Sequence, residues 1–238
     1  MKFCLRAGHG CLDGNIQDMG AIGIDGTTEY SINAGVVNLL AGKMENRVPY
    51  VISPNYHNTE ETYNFAKSKL CNFILFIHSN SFTDSTAKGA ECFYNDAKYE
   101  GYATSLLNYY SFSMGLFHRE CHLDAAVKAM EHTDIPILLL ELGFVSNPAD
   151  LQILKTQQSY IADSIMHWIL GQCDKTIIEY TFQDNSTIYR TNLSEDSVTL
   201  SGPVKIINGR TYIPLSDFGE ILEKKTGYLP AIKKITLY

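Results

Sequence analysis

The 238-residue chain has no run approaching the ~20 consecutive apolar residues that a membrane helix requires, so no span is expected. Its opening, Met1 to Gly10, lacks both an apolar h-region and a cleavage site, so no secretory signal is expected and the segment reads as a first strand. The six cysteines (Cys4, Cys11, Cys71, Cys92, Cys121 and Cys173) form no C-x-x-C pair. Several lie in apolar runs, as buried free thiols in a reducing compartment would. Low-complexity segments, long linkers and repeats are also missing. Positive charge is scarce in the front of the chain. From Ile177 to Tyr238 basic and acidic residues number 7 each, which leaves 12 basic and 19 acidic residues before Ile177 and places the whole net charge of −7 there. An acidic front argues against a nucleic-acid backbone as partner.

What is present is an ordinary globular composition, 45% hydrophobic, 11% aromatic and 19% charged. The length suits one medium domain and a small one. Ile135 to Asp150 (Ile-Pro-Ile-Leu-Leu-Leu-Glu-Leu-Gly-Phe-Val-Ser-Asn-Pro-Ala-Asp) is the organising stretch. It begins as an apolar run with the character of a fully buried strand. It ends at Asn147-Pro148, an N-cap followed by a proline at the first helical position. Glu141, late in that run, is costly to bury unless a cation or metal partners it.

Further strands are expected at Met1–Gly8, Val48–Ser53, Asn72–His78 and Gly89–Asn95. Between Gly10 and Gly26 lies a Gly- and Asp-rich loop. Helices are expected from about Thr28 to Asn46, from an Asn58/Glu61 capping box to Lys69, from Tyr99 to Phe117, from Pro148, and from Gln158 to Leu170. Alternating helices and nearly all-apolar strands give an α/β fold, a mostly parallel twisted sheet with helices on both faces, over residues 1–173. From 177 to 238 the texture changes to a small α+β or mostly-β domain. Strands are expected there at Thr176–Phe182 and Thr187–Thr191, a hairpin at Val204–Ile213 around Asn208-Gly209, a short helix from Ser216 and a last strand at Ile232–Tyr238.

In open α/β sheets the site lies beyond the carboxyl ends of the strands. His9, His78 and Glu141 sit at such ends, and Glu29 opens the first helix at the same edge. Each alone has an ordinary explanation: a surface or satisfied histidine, or a first-turn carboxylate complementing the helix dipole. Together, two histidines and a glutamate with an open fourth position suit a catalytic zinc ion, which lowers the pKa of a bound water to ~7. A further carboxylate can carry the proton to the leaving group. His118 and His122, spaced i and i+4, would share a face of a helix, but Glu120 lies off that face and the H-E-x-x-H order is absent. Gly8-His9-Gly10 lacks the spacing and lysine of a phosphate loop.

Ala7-Gly-His-Gly, Glu29, Phe76-Ile-His-Ser-Asn-Ser and Leu139-Leu-Glu-Leu-Gly-Phe-Val-Ser-Asn-Pro-Ala-Asp resemble the zinc-dependent N-acetylmuramoyl-L-alanine amidases, a family of bacterial autolysins and phage endolysins. The resemblance covers roughly residues 1–172. It implies Zn²⁺ held by His9, Glu29 and His78, with Glu141 as catalytic carboxylate. The implied reaction is cleavage of the peptidoglycan amide between the lactyl group of N-acetylmuramic acid and the L-alanine of the stem peptide. Two features depart from the family pattern: the Gly10–Gly26 loop is long, and Asn55–Lys69 has no arginine where the family usually carries one. The tail, with Val204-Lys-Ile-Ile-Asn-Gly-Arg-Thr-Tyr-Ile-Pro-Leu, weakly resembles a small domain of copper amine oxidases and clostridial-type wall proteins. It holds no copper ligands and is expected to be a wall-binding module, or otherwise to serve in dimerisation or packing. The expectation is a phage endolysin held in the host cytoplasm until release. The alternatives are an autolysin, another zinc peptidase of the wall, or a wall-binding protein with a retired site.

Overall fold

The structure is a computed structural model, and it describes residues 1–13, 16–123, 128–173, 177–181, 187–191, 205–207 and 210–212. The chain divides into two compact units, Met1–Cys173 and Asp174–Tyr238. No helix among the described residues is long and apolar enough to cross a membrane.

The first unit opens with strand β1 (Phe3–Ala7), followed by a small antiparallel pair, β2 (Leu12–Asp13) and β3 (Ile16–Gln17). Helix α1 (Glu29–Met44) starts at Thr28, whose side chain accepts from the amide of Ser31. Strand β4 (Tyr50–Ile52) leads to α2 (Thr59–Ser68), which opens with the expected reciprocal box between Asn58 and Glu61, a cap worth about 1 kcal/mol. Then come β5 (Phe73–Asn80), β6 (Ala90–Tyr94), α3 (Glu100–Met114) and β7 (His118–Leu123). Helix α3 stops at Gly115, whose φ of 65° is the left-handed cap that glycine accepts freely. Strand β8 (Ile137–Phe144), α4 (Pro148–Thr156) and α5 (Gln158–Cys173) complete the unit. Asn147 caps α4 by accepting from the amides of Ala149 and Asp150, with Pro148 in its first turn.

Six strands form one sheet in the order β4-β1-β5-β8-β6-β7. All neighbours are parallel except β8 and β6. The exception follows from chain length. Residues 81–89 joining β5 to β6 are too few for a parallel crossover, so the chain returns antiparallel, and α3 then carries it across to β7. The chain leaves β1 through α1 to β4 on one side, whereas β5, reached from β4 through α2, continues toward β8 and β6 on the other. This leaves a topological switch at the carboxyl ends of β1 and β5, where α/β sheets place their sites.

The two sheet faces are covered unequally. One packs Leu5, Phe73, Leu75, Leu138 and Leu140 against the apolar sides of α1, α3 and α5, including Val36, Leu106, Ile165 and Trp168. The other packs Cys4, Ile74, Phe76, Ile137 and Leu139 against Ala66 of α2 and Ala129 and Met130 of a short 3₁₀ turn. Period-two alternation sends His78 and Glu141 to this second, more thinly covered face. Cys4, Cys71 and Cys92 are buried, and Cys11, Cys121 and Cys173 are half-buried.

The second unit shows two antiparallel pairs: β9 (Ile177–Thr181) with β10 (Thr187–Thr191), and β11 (Lys205–Ile207) with β12 (Arg210–Tyr212). Ile207 pairs with Arg210, the register a two-residue Asn-Gly turn produces. Asn208-Gly209 itself, the helix expected from Ser216 and the strand expected at Ile232–Tyr238 lie outside the described residues.

Candidate metal centre and active site

Strand β1 ends at Ala7, and the amide of Gly8 donates to the carbonyl of Ile77 at 2.7 Å, which brings the next residue beside the end of β5. That residue, His9, has a φ of 64°, in the left-handed region sparsely used by residues with a side chain and recurrent at functional sites. A Cβ on Gly8 would come within 2.4 Å of the His78 ring, so glycine there leaves the space that the ring occupies. On the far side Gly20, at φ 66°, clears His9 and Glu29 in the same way.

Glu29, the first residue of α1, is buried and lies between the two rings. Its Oε2 is 3.0 Å from His9 Nε2 and its Oε1 is 3.1 Å from His78 Nδ1. Three neutral donors also reach it: the amides of Ala21 and Ser79, each at 3.1 Å, and Asn33 Nδ2 at 3.2 Å. The two imidazole nitrogens and these three donors together surround both carboxylate oxygens. One ligand atom from each of His9, Glu29 and His78 lies within 4.8 Å of the others, the one such group among the described residues. Two imidazoles and a carboxylate are donors that zinc takes. The chemistry of this donor set fits a metal ion. Hydrogen bonding to Glu29 raises the pKa of His9 from 6.5 to about 9. Burial opposes ionisation of Glu29, yet hydrogen bonds from His78 and His9 hold its carboxyl well below the usual range.

Glu141 lies directly beside this group, as the register partner of His78 on the neighbouring parallel strand. Its Oε2 is sealed from solvent and has no hydrogen-bond partner among the described residues. Burial, reinforced by the charges of Glu29 and Glu91, pushes its carboxyl well above the ordinary range. Across β8, Glu91 of β6 is the antiparallel partner of the same Glu141, so His78, Glu141 and Glu91 form a row over three strands. Glu91 is buried and is neutralised by Nε of Arg119 on β7, with Asn80 Nδ2 at 3.4 Å from its other oxygen. Arg119 also lies over the Phe144 ring at 5.1 Å.

The structure thus brings His9, Glu29, His78 and Glu141 to one rim. It corrects the helical reading of His118 to His122. These residues form strand β7, with His118 opposite Ala90 and His122 opposite Phe93, as the alternation His-Arg-Glu-Cys-His permits. Four contributors escaped the sequence reading. Asp18 accepts from His9 Nδ1 at 2.8 Å, across a separation of nine residues. Glu91, like Glu141, is a carboxylate within a strand and carries the same signal of a costly buried charge, and Arg119 is its cation. Arg6, nearly fully buried on β1, donates to the carbonyls of Ala7, His9, Asn55 and His57. An arginine from β1 therefore ties the loop after β4 to the metal-site turn, in a chain whose Asn55–Lys69 segment has none.

The sequence model of the family described as N-acetylmuramoyl-L-alanine amidase (Amidase_3) matches residues 4–170. Among solved structures, the fold resembles the catalytic domain of CwlV, an N-acetylmuramoyl-L-alanine amidase from Bacillus (Paenibacillus) polymyxa var. colistinus. The identity is 23% over 73% of this chain and 99% of that one, with a TM-score of 0.66. An N-acetylmuramoyl-L-alanine amidase from Clostridium difficile 630 is 20% identical over 74% and 97% of the two chains, with the same TM-score. AmiC2 of Nostoc punctiforme is 21% identical over 74% and 98%, again at 0.66. No curated protein matches the chain by sequence.

Proposed function

The chain belongs to the N-acetylmuramoyl-L-alanine amidase family (Amidase_3), and on that premise we propose that it is a zinc hydrolase of peptidoglycan. The bond it cuts is the amide between the lactyl group of N-acetylmuramic acid and the L-alanine of the stem peptide. The observation that carries this reading is the juxtaposition of His9, Glu29 and His78 with a partnerless buried oxygen on Glu141. His9, Glu29 and His78 are the residues that would hold zinc. When bound, the ion supplies a Lewis acid that polarises a carbonyl oxygen and makes water a nucleophile near neutral pH.

The remaining chemistry belongs to the protein. Glu141 Oε2 takes a proton from the attacking water and delivers it to the departing amide nitrogen, which leaves as the free amino terminus of the alanine. A carboxyl pushed up by burial and by neighbouring carboxylates suits both halves of that transfer. Glu29 is held by three amide donors, so its carboxylate is oriented before any ligand arrives. Glu91, paired with Arg119, stands directly across from Glu141 on β6.

The same proposal makes the enzyme a phage endolysin that accumulates in the host cell and meets the wall at release, with the unit Asp174–Tyr238 holding the wall. Support comes from the order of the units: a stretch spanning nearly all of the CwlV catalytic domain is followed by an additional small unit. The proposal is tested by digesting purified walls with native, chelator-stripped and zinc-restored protein. Loss of clearing on stripping and its return with zinc support the reading; clearing that survives complete metal removal contradicts it.

A further inference from the structure

Just past β3 stands a carboxylate, Asp18, that the reaction described above does not use. Asp18 Oδ2 lies 2.8 Å from His9 Nδ1, while the opposite nitrogen of the same ring, Nε2, lies 3.0 Å from Glu29 Oε2. An ionised carboxylate only accepts hydrogen bonds, so Asp18 keeps a hydrogen on Nδ1, and Nε2, which faces Glu29, is the nitrogen that would give up its hydrogen to coordinate.

Asp18 is itself well fixed. Its Oδ1 accepts from the amide of Gly20 at 2.9 Å. Its main chain is tied to the residues that follow His9: the Gly10 amide donates to the Asp18 carbonyl at 2.7 Å, and the Asp18 amide donates to the Cys11 carbonyl at 2.8 Å. The ring it holds needs holding. His9 sits between two glycines in the left-handed region, and its side chain is 28% exposed, against 18% for His78 and 6% for Glu29. Packing alone fixes it least of the three.

We infer that Asp18 is a positioning residue of the metal centre, and that the long Gly10–Gly26 loop folds back in order to bring this carboxylate to His9. It sets the His9 tautomer and aims Nε2 at the position shared with Glu29 and His78. The inference rests on the zinc reading of the site. It adds a part of the chain outside the proposed ligands to that site, and it gives the loop a reason for its length.

The test is zinc affinity, measured by competition with a chromophoric chelator, for native protein, Asp18→Ala and Asp18→Asn, alongside melting of the metal-free forms. Asp18 is 44% exposed, so metal-free melting is expected to stay at the native value. Asp18→Ala should bind zinc about 10- to 100-fold more weakly, the usual effect of removing such a partner. Asp18→Asn, which still accepts a hydrogen bond but carries no charge, should fall between the two, and it serves as the variant of record if the alanine form does not fold. Nitrogen-15 shifts of the His9 ring in zinc-loaded native protein should show hydrogen on Nδ1 and metal on Nε2. Native affinity in both variants, or the opposite tautomer, overturns the inference and leaves the zinc reading standing. A native protein that binds no zinc overturns the zinc reading itself.

Discussion

His78 and Glu141 are register partners on adjacent parallel strands, so the pleat turns both side chains to the same face. A buried strand has no structural use for a carboxylate there. The arrangement places a proposed metal ligand and a proposed proton carrier side by side without relying on any loop.

Glu141→Gln should reduce wall digestion by at least 10²-fold, the scale on which positioned acid–base groups act. The metal-to-protein ratio should stay at the native value, because His9, Glu29 and His78 are untouched. Metal analysis beside a turbidity assay checks both; loss of zinc in this variant would make Glu141 a ligand instead.

His9→Ala and His78→Ala should each lose bound zinc together with activity. Equilibrium dialysis against zinc gives the stoichiometry directly. Full zinc content in either variant contradicts the ligand set.

Gly8→Ala tests the site without touching any of its polar groups. The added methyl would meet the His78 ring at 2.4 Å, so the ring must move. Zinc affinity should fall by about tenfold or more, as for other changes that misorient a ligand, while circular dichroism stays native. Unchanged affinity would mean that the ring has room to spare.

Arg119→Ala leaves Glu91 buried beside Glu141 without its cation. Breaking a fully buried pair costs about 3–5 kcal/mol; the Arg119 side chain is 37% exposed, so about 2 kcal/mol is expected. Urea unfolding measures it. The double variant Arg119→Ala, Glu91→Gln should recover much of the loss, because no charge is then left unpaired.

A chain ending at Cys173, where α5 and the first unit end, should fold and still cut soluble wall fragments, while binding whole walls less than the full chain. Sedimentation with purified walls reads the binding. Insolubility of the shortened chain would show that the second unit completes the first one's core.

The fold was legible where local chemistry decides it. The Asn58/Glu61 box, the Asn147-Pro148 cap and the apolar runs of β1, β5 and β8 are each set by residues close in sequence. The antiparallel turn of β6 was not, because it follows from the short connector after β5 and not from any property of β6 itself. At the site, His9, His78 and Glu141 were readable as polar groups at the ends of apolar strands. Glu29 was readable as the residue that opens the first helix at that edge, and the fold brings its carboxylate between the two rings. Asp18, Glu91 and Arg119 depend on partners 9 to 50 residues away, pairings that no local pattern announces.

The central claim is the identity of the bond cut, and mass spectrometry of peptidoglycan digested by the native protein tests it most directly. The account predicts intact glycan strands whose N-acetylmuramic acid residues carry free lactyl carboxyl groups, and free stem peptides that begin with an L-alanine amino terminus. Stem peptides still attached to muramic acid, with new termini inside the stem or new reducing sugar ends, would contradict it.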